Sequence, residues 1–313
     1  MMSAVEKRLS KAGSKAGHLQ RHCLKLLAEH QRDGAIPTSG RFLFYELVSR
    51  GVVPKDHYVD ENGKKKSRTP AQDVADALWH LRRKSRIVPM NWIVDETRDL
   101  DSWHYASSVY EYVDNSLPDA RIDLWGGEPP PLIICESRSL AGVLRRIAYD
   151  YLCPIAATNG QVGGFLHTTI GPLIEDGGRF RRVLYFGDLD LSGGHIEENT
   201  RSELSEYGEL DWGRLAVTDV QIRAENLTIA MKKDKRYKPP REFPAVETEA
   251  LKQQKIQRIL LDTLDDALPQ PLDEMQEVEQ AQRVQVRKAL RGIQSGAEDD
   301  KVTEAEEEGE DDE

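Results

Sequence analysis

Cysteines are few in this sequence, and long apolar runs are missing. The 313 residues include three cysteines, no two of which form a CxxC pair: Cys23, Cys135 and Cys153. Scattered cysteines in odd number argue against a disulfide framework and a zinc site, so we expect ordinary core residues. No apolar run approaches the roughly 18 residues of a membrane-spanning helix, and the N-terminus lacks the apolar segment of a secretory signal. We therefore expect a cytoplasmic protein without a membrane partner.

The net charge of −11 is concentrated in the C-terminal residues. Residues 297–313 carry eleven acidic side chains and one lysine, which leaves the rest of the chain nearly neutral. We expect a disordered acidic tail over 295–313 and a flexible basic arm over 1–16. Basic clusters also occur in the body of the chain, either as solvated faces or as a track for nucleic-acid phosphates: 64–68, 82–86 and 232–241. The residues in them that we expect to bind DNA are Lys64, Lys65, Lys66, Arg82 and Arg83.

Helical patterns fill the first third of the chain. Apolar residues recur at helical spacing in HLQRHCLKLLAEH, GRFLFYELVSRG and PAQDVADALWHLRRKSR. Thr38 or Ser39 is the expected cap of the second helix, and IVPMNWIVDETR is expected to be a strand. The order helix, helix, loop, helix, strand, with basic residues in the loop, predicts an α+β winged-helix DNA-binding domain over 17–105. A plain three-helix bundle would give a similar pattern.

Strands and helices alternate in the second half of the chain. The expected strands are PPPLIICES, PIAATNGQVGGF, RVLYFGDLDLSGGHI and WGRLAVTDVQI, and the first is followed by the helix SLAGVLRRIAYDYL. This alternation predicts an α/β domain with a mainly parallel, Rossmann-like sheet. We expect this domain over 131–294, with two C-terminal helices included, and a linker over 106–130.

Acidic residues follow two of these strands directly. Glu136 ends the first strand, and Asp188 and Asp190 follow the third. The carboxyl ends of parallel strands lie along one edge of the sheet, so these side chains are either unrelated turn residues or a metal site. Oxygen ligands of this kind suit Mg²⁺, with Mn²⁺ as an alternative. A second acidic pair, Glu247 and Glu249 in VETEAL, either supports the metal edge or lies at a solvated helix start, and we expect the helix start.

The pairing of IICES with YFGDLDLSG resembles the Toprim domain, a metal-binding α/β module of topoisomerases, primases and some nucleases. The Ser-Gly after the second aspartate, with the following His195 and Ile196, is more particularly similar to the topoisomerase VI A subunit and the meiotic double-strand-break transesterase. That family places a winged-helix domain with a nucleophilic tyrosine before Toprim. The segment GRFLFYEL puts Tyr45 at the nucleophile and Arg41 at the motif arginine, while Phe42 replaces the usual acidic residue. The resemblance spans roughly residues 18 to 265.

The resemblance implies a type IIB topoisomerase-like reaction on double-stranded DNA. Tyr45 would form a 5′-phosphotyrosyl link, Arg41 would steady the phosphate, and Glu136, Asp188 and Asp190 would hold Mg²⁺. A homodimer would be required, because the family's tyrosine and metal sites come from different protomers. No phosphate-binding glycine loop is present, so ATP-driven strand passage would need a separate ATPase subunit. Two alternatives remain: a Toprim nuclease that hydrolyses DNA while Tyr45 only packs, and a non-catalytic DNA-binding accessory protein.

Overall fold

The structure is a computed structural model that describes residues 6–11, 13–61, 63–94, 104–158, 165–175, 180–234, 237 and 239–310. It is an α/β protein with about 54% helix and parallel strands, which confirms the fold class predicted from the alternating pattern. Across these ranges, no helix is long and apolar enough to cross a membrane. The winged-helix and Toprim assignments stay predictions.

The described residues form helices and strands that we number in chain order. The helices are α1 (Lys15–Arg32), α2 (Gly40–Ser49), α3 (Pro70–Trp79), α4 (Val109–Ser116), α5 (Arg138–Asp150), α6 (Gly171–Glu175), α7 (Leu191–Ser205), α8 (Asp219–Ala224), α9 (Gln253–Asp265) and α10 (Leu272–Glu310). The strands are β1 (Thr38–Ser39), β2 (Ile93–Val94), β3 (Leu132–Cys135), β4 (Ile155–Ala157), β5 (Arg182–Phe186), β6 (Asp211–Ala216), β7 (Ala230–Asp234) and β8 (Arg241–Ala245).

The first three helices pack around one apolar core. Ser39 caps α2 by accepting a hydrogen bond from the backbone N–H of Phe42 at 3.2 Å, which confirms one of the two expected caps.

The strand expected in IVPMNWIVDETR is shorter in the described residues, where it is β2 and pairs in parallel with β1. Pro89, which has no N–H, is followed by a 3₁₀ turn over Met90–Trp92 that replaces the start of the expected strand. Residues 95–103 lie outside the described residues.

Among the described strands, the largest sheet has the order β4-β3-β5-β6, and its neighbouring strands are all parallel. The side chains of β3 are buried, as are those of β5 after Arg182, which is the pattern of strands covered on both faces. From β3 the chain crosses to β4 on one side, and from β5 it crosses to β6 on the other. The strand order therefore reverses between β3 and β5, where ligands bind in open α/β sheets.

A buried glutamine ties the start of α2 to the later part of the chain. The Thr38 hydroxyl donates to Gln253 Oε1 at 2.5 Å, and Gln253 Nε2 donates to the carbonyls of Ala35 and Pro37 at 3.0 and 2.9 Å. Thr38 and Gln253 are fully enclosed. These bonds hold residues 35–38, which lead into α2, against the first residue of α9.

The chain divides into compact units differently from the expected domains. One unit comprises residues 1–98 and 129–264, and the other comprises 99–128 and 265–313. In the second unit, Arg121 Nε lies 3.0 Å from Glu279 Oε2 on α10, so the expected linker packs on the last helix. That helix continues to Glu310, where we expected a disordered acidic tail from residue 295.

Candidate functional site

Glu136 and Asp188 meet at the point where the strand order reverses. The backbone N–H of Glu136 donates to the Phe186 carbonyl at 2.8 Å, which continues the pairing of β3 with β5. The N–H of Asp188 in turn donates to Glu136 Oε2 at 2.9 Å. Arg214 on β6 holds the loop that follows β5, because its Nη2 donates to the carbonyls of Gly187 and Asp188 at 2.8 and 2.6 Å.

The start of α7 approaches this loop closely. Asp190 caps the helix, and its Oδ1 accepts from the N–H of Gly193 at 2.7 Å. A Cβ atom at Gly193 would lie 2.4 Å from the Asp188 carbonyl oxygen and 3.4 Å from Glu136 Oε2. Only glycine lets the helix lie this close, which explains one of the two glycines in DLDLSGG.

Asp188 and Asp190 have different partners, although their spacing suggested that they act together. Asp188 Oδ1 accepts from the backbone N–H and the hydroxyl of Thr248 at 2.8 and 3.0 Å. Asp190 Oδ2 forms an ion pair with Lys232 Nζ on β7 at 2.7 Å. The Lys232 ammonium therefore already neutralises Asp190 in this arrangement.

The surroundings raise the pKa of Glu136 and lower the pKa of Asp190. Burial raises the pKa of Glu136, and the negative charges of Asp188 and Asp190 raise it further. Burial also acts to raise the pKa of Asp190, but the hydrogen bonds from Lys232 and from the Gly193 N–H outweigh it and leave that pKa lowered. A charged Glu136 is thus destabilised by its neighbours, and a cation beside it would relieve that repulsion.

Glu136 and Asp188 suit a magnesium ion better than Asp190 does. Within the described part of the chain, no three or more acidic, histidine or cysteine side chains cluster closely enough to hold a metal ion. Mg²⁺ keeps several waters, however, and needs only one or two protein carboxylates. The crowding of charge at Glu136 fits such an ion, with Asp188 as the second carboxylate. The roles of all three acids remain predictions.

Arg41 and Tyr45 lie on α2 and face the segment that follows β8. Arg41 Nη2 is 3.0 Å from Glu247 Oε2, and Arg41 Nε is 2.9 Å from Glu249 Oε1. The Tyr45 hydroxyl donates a hydrogen bond to Glu247 Oε2. The Tyr45 ring is half-buried against the helical core and packs edge-on against Phe44, with 5.3 Å between ring centroids. Tyr45 therefore packs against the core with its ring and reaches Glu247 with its hydroxyl.

Glu247 and Glu249 lie at the start of a short 3₁₀ turn, Thr248–Ala250, but this helix start is buried, so the expected solvation is wrong. Glu249 is 2% exposed, and its carboxylate also accepts from the Ser137 hydroxyl at 3.2 Å. Burial raises the pKa of Glu249 to about 7, against the opposing effect of Arg41, and Asp188 and Glu247 raise it further. The two acids flank Thr248, so one short segment reaches Tyr45, Arg41 and Asp188.

The residues expected to bind DNA differ in their surroundings. Lys64, Lys65 and Lys66 are exposed beside an antiparallel bridge between Val59 and Lys65. Arg83 is exposed as well. Arg82 instead donates to the carbonyls of Met90 and Ile93 at 3.3 and 3.4 Å, which is a structural role.

The site thus brings together Glu136 and Asp188 at the sheet edge and joins them, through residues 247–249, to Arg41 and Tyr45. No protein-family model, no curated protein and no solved structure matches this chain.

Proposed function

We propose that this protein cleaves double-stranded DNA by transesterification, with Tyr45 as the nucleophile and Mg²⁺ as the metal. One observation carries the proposal. The Tyr45 hydroxyl binds Glu247, and the next residue, Thr248, binds Asp188 at the end of the central strands. The tyrosine and the acids of the sheet edge are therefore joined within one compact unit, which supports a role in phosphoryl transfer.

The roles of the residues follow from their chemistry. The Tyr45 hydroxyl would lose its proton and its oxygen would form a bond to a DNA phosphorus. The bond from that phosphorus to the 3′ oxygen would break, and this oxygen would take up a proton and leave as a 3′-hydroxyl. Tyrosine is a weak nucleophile at its usual pKa near 10. Arg41 would bind the phosphate oxygens through its guanidinium, and Glu136 and Asp188 would hold Mg²⁺. The bound ion would supply positive charge that stabilises the phosphate in the transition state.

The expected partners stay part of the proposal. DNA is the substrate, a homodimer is the assembly that the family resemblance implies, and a separate ATPase subunit would be needed for strand passage. Tyr45 and the strand-end acids lie in one compact unit of the same chain here, so we propose in addition that they act together within one protomer of the dimer.

Supercoiled plasmid tests the proposal. The protein is incubated with plasmid and Mg²⁺ or Mn²⁺, the reaction is stopped with denaturant, and DNA attached to protein is trapped and measured. We expect adducts with the wild type and with Tyr149→Phe, a control at an exposed tyrosine of the same unit. Tyr45→Phe should abolish them, and so should Asp188→Ala.

Other outcomes would refute transesterification in distinct ways. Cleavage that survives Tyr45→Phe and is lost in Asp188→Ala would identify a metal-dependent nuclease. DNA binding without cleavage under any condition would identify an accessory DNA-binding protein.

A further inference from the structure

One carboxylate, that of Glu247, is surrounded by groups that suit a phosphate. Arg41 Nη2 lies 3.0 Å from its Oε2, and Lys55 Nζ lies 3.5 Å from its Oε1. The Tyr45 hydroxyl donates to Oε2 as well. Two cations and a hydroxyl donor around one anion form a binding site for an oxyanion, and the chain's own side chain occupies it.

Arg41, one of the two cations, is held in place independently of Glu247. Glu249 binds Arg41 from its Nε edge at 2.9 Å, and the Glu249 side chain is 1% exposed. Ser137, the cap of α5, donates to the same Glu249 carboxylate at 3.2 Å. The contact with Glu249 therefore orients the Arg41 guanidinium, so that its Nη2 atom stays directed at the position of the Glu247 carboxylate.

The Glu247 side chain can leave without unfolding its surroundings. Its backbone is fixed by a hydrogen bond from the Ala250 N–H to the Glu247 carbonyl at 2.9 Å, so only the side chain has to rotate. The side chains of Arg41 and Lys55 are 40% and 35% exposed, whereas that of Glu247 is 17% exposed. An anion arriving from solvent can therefore reach both cations.

We propose that Arg41, Lys55 and the Tyr45 hydroxyl form a binding site for a phosphodiester group of nucleic acid, and that the Glu247 carboxylate competes for it. This inference rests on the proposed function and adds two elements: Lys55 as a phosphate ligand and Glu247 as an internal competitor. DNA must displace Glu247 before its phosphate reaches the tyrosine oxygen. Free protein is thereby held in an inhibited state.

Binding measured without metal tests this inference separately from cleavage. Fluorescence anisotropy with a labelled DNA duplex is recorded in EDTA at fixed ionic strength, because salt alone changes such affinities strongly. Glu247→Gln keeps the shape and a hydrogen-bond acceptor but removes the competing charge. We expect it to bind DNA about tenfold more tightly, a difference of about 1.4 kcal/mol.

Two further variants make the result specific. Glu242→Gln removes the same charge from an exposed position on β8, where Glu242 pairs with Lys233 at 3.4 Å, and we expect less than a twofold change. Adding Lys55→Met to Glu247→Gln should cancel most of the gain. Thermal melting confirms that each variant is folded.

Two results of the binding measurement would overturn the inference. Unchanged or weaker DNA binding by folded Glu247→Gln would show that Glu247 does not compete with phosphate. An equal gain in Glu242→Gln would show a general charge effect and would also overturn it. Tighter binding by Glu247→Gln with no covalent adduct would uphold the anion site while refuting transesterification, so the two proposals fail separately.

Discussion

Gly193→Ala should destabilise this protein, whereas the same change one residue later should stabilise it. A Cβ atom at Gly193 would lie 2.4 Å from the Asp188 carbonyl oxygen and 3.1 Å from the carbonyl carbon. These are backbone atoms of the site loop, so a rotamer change cannot relieve the contact. At Gly194 nothing lies within 4 Å of the added atom.

The expected magnitudes follow from these contacts. Overpacking of this kind costs about 1–3 kcal/mol in the free energy of unfolding. Replacing a glycine inside a helix with alanine contributes about 0.5–1 kcal/mol when the space is open, and Gly194 lies within α7. The two variants should therefore differ from the wild type in opposite directions.

Urea unfolding followed by circular dichroism measures both variants under the same conditions. A Gly193→Ala protein as stable as the wild type, or an equal change in stability in both variants, would contradict the prediction. In either case α7 would not approach the Asp188 loop as described, and the geometry around Glu136 would lose its support.

Three further predictions concern the same unit. Mixing Tyr45→Phe with Asp188→Ala protein should not restore DNA cleavage, because tyrosine and acids of one chain act together; restored cleavage would show that they act across protomers. Gln253→Ala should lower the free energy of unfolding by about 2–4 kcal/mol by leaving buried partners unpaired, whereas Gln254→Ala, with one exposed hydrogen bond to Asp33, should change it by less than about 0.5 kcal/mol. In the folded chain the pKa of Glu249 is about 7, above the usual 4.5, so the folded state binds this proton more tightly than the unfolded chain does. The free energy of unfolding should therefore fall as the pH rises between these two values. Urea unfolding from pH 4 to 8 should show a flatter profile in Glu249→Gln, and parallel profiles would contradict the prediction.

Local patterns in the sequence predicted much of the fold. Helical spacing located α1 to α3, and the apolar runs before Glu136 and Asp188 located β3 and β5, because burial imposes these periods directly. The sequence also predicted that the acids after β3 and β5 lie near each other, because the carboxyl ends of parallel strands share one edge of the sheet. Each of these features depends on a few neighbouring residues.

The rest depended on partners far away in the chain. Glu247 and Glu249 read as solvated acids because their partner, Arg41, precedes Glu247 by 206 positions. The pairing of Asp190 with Lys232 spans 42 positions and depends on where the β7–β8 hairpin folds. The expected linker packs on α10 through Arg121 and Glu279, which are 158 positions apart. Spacing within one segment carries no information on such contacts.

The most direct test of the account is to find the atom to which DNA becomes attached. Protein incubated with plasmid DNA and Mg²⁺ is denatured, digested with nuclease and protease, and analysed by mass spectrometry for peptides that carry a nucleotide. We expect a nucleotide linked through its 5′ phosphate to Tyr45, in wild-type protein and not in Asp188→Ala. Cleaved DNA with no modified peptide, or a nucleotide attached to another residue, would contradict it.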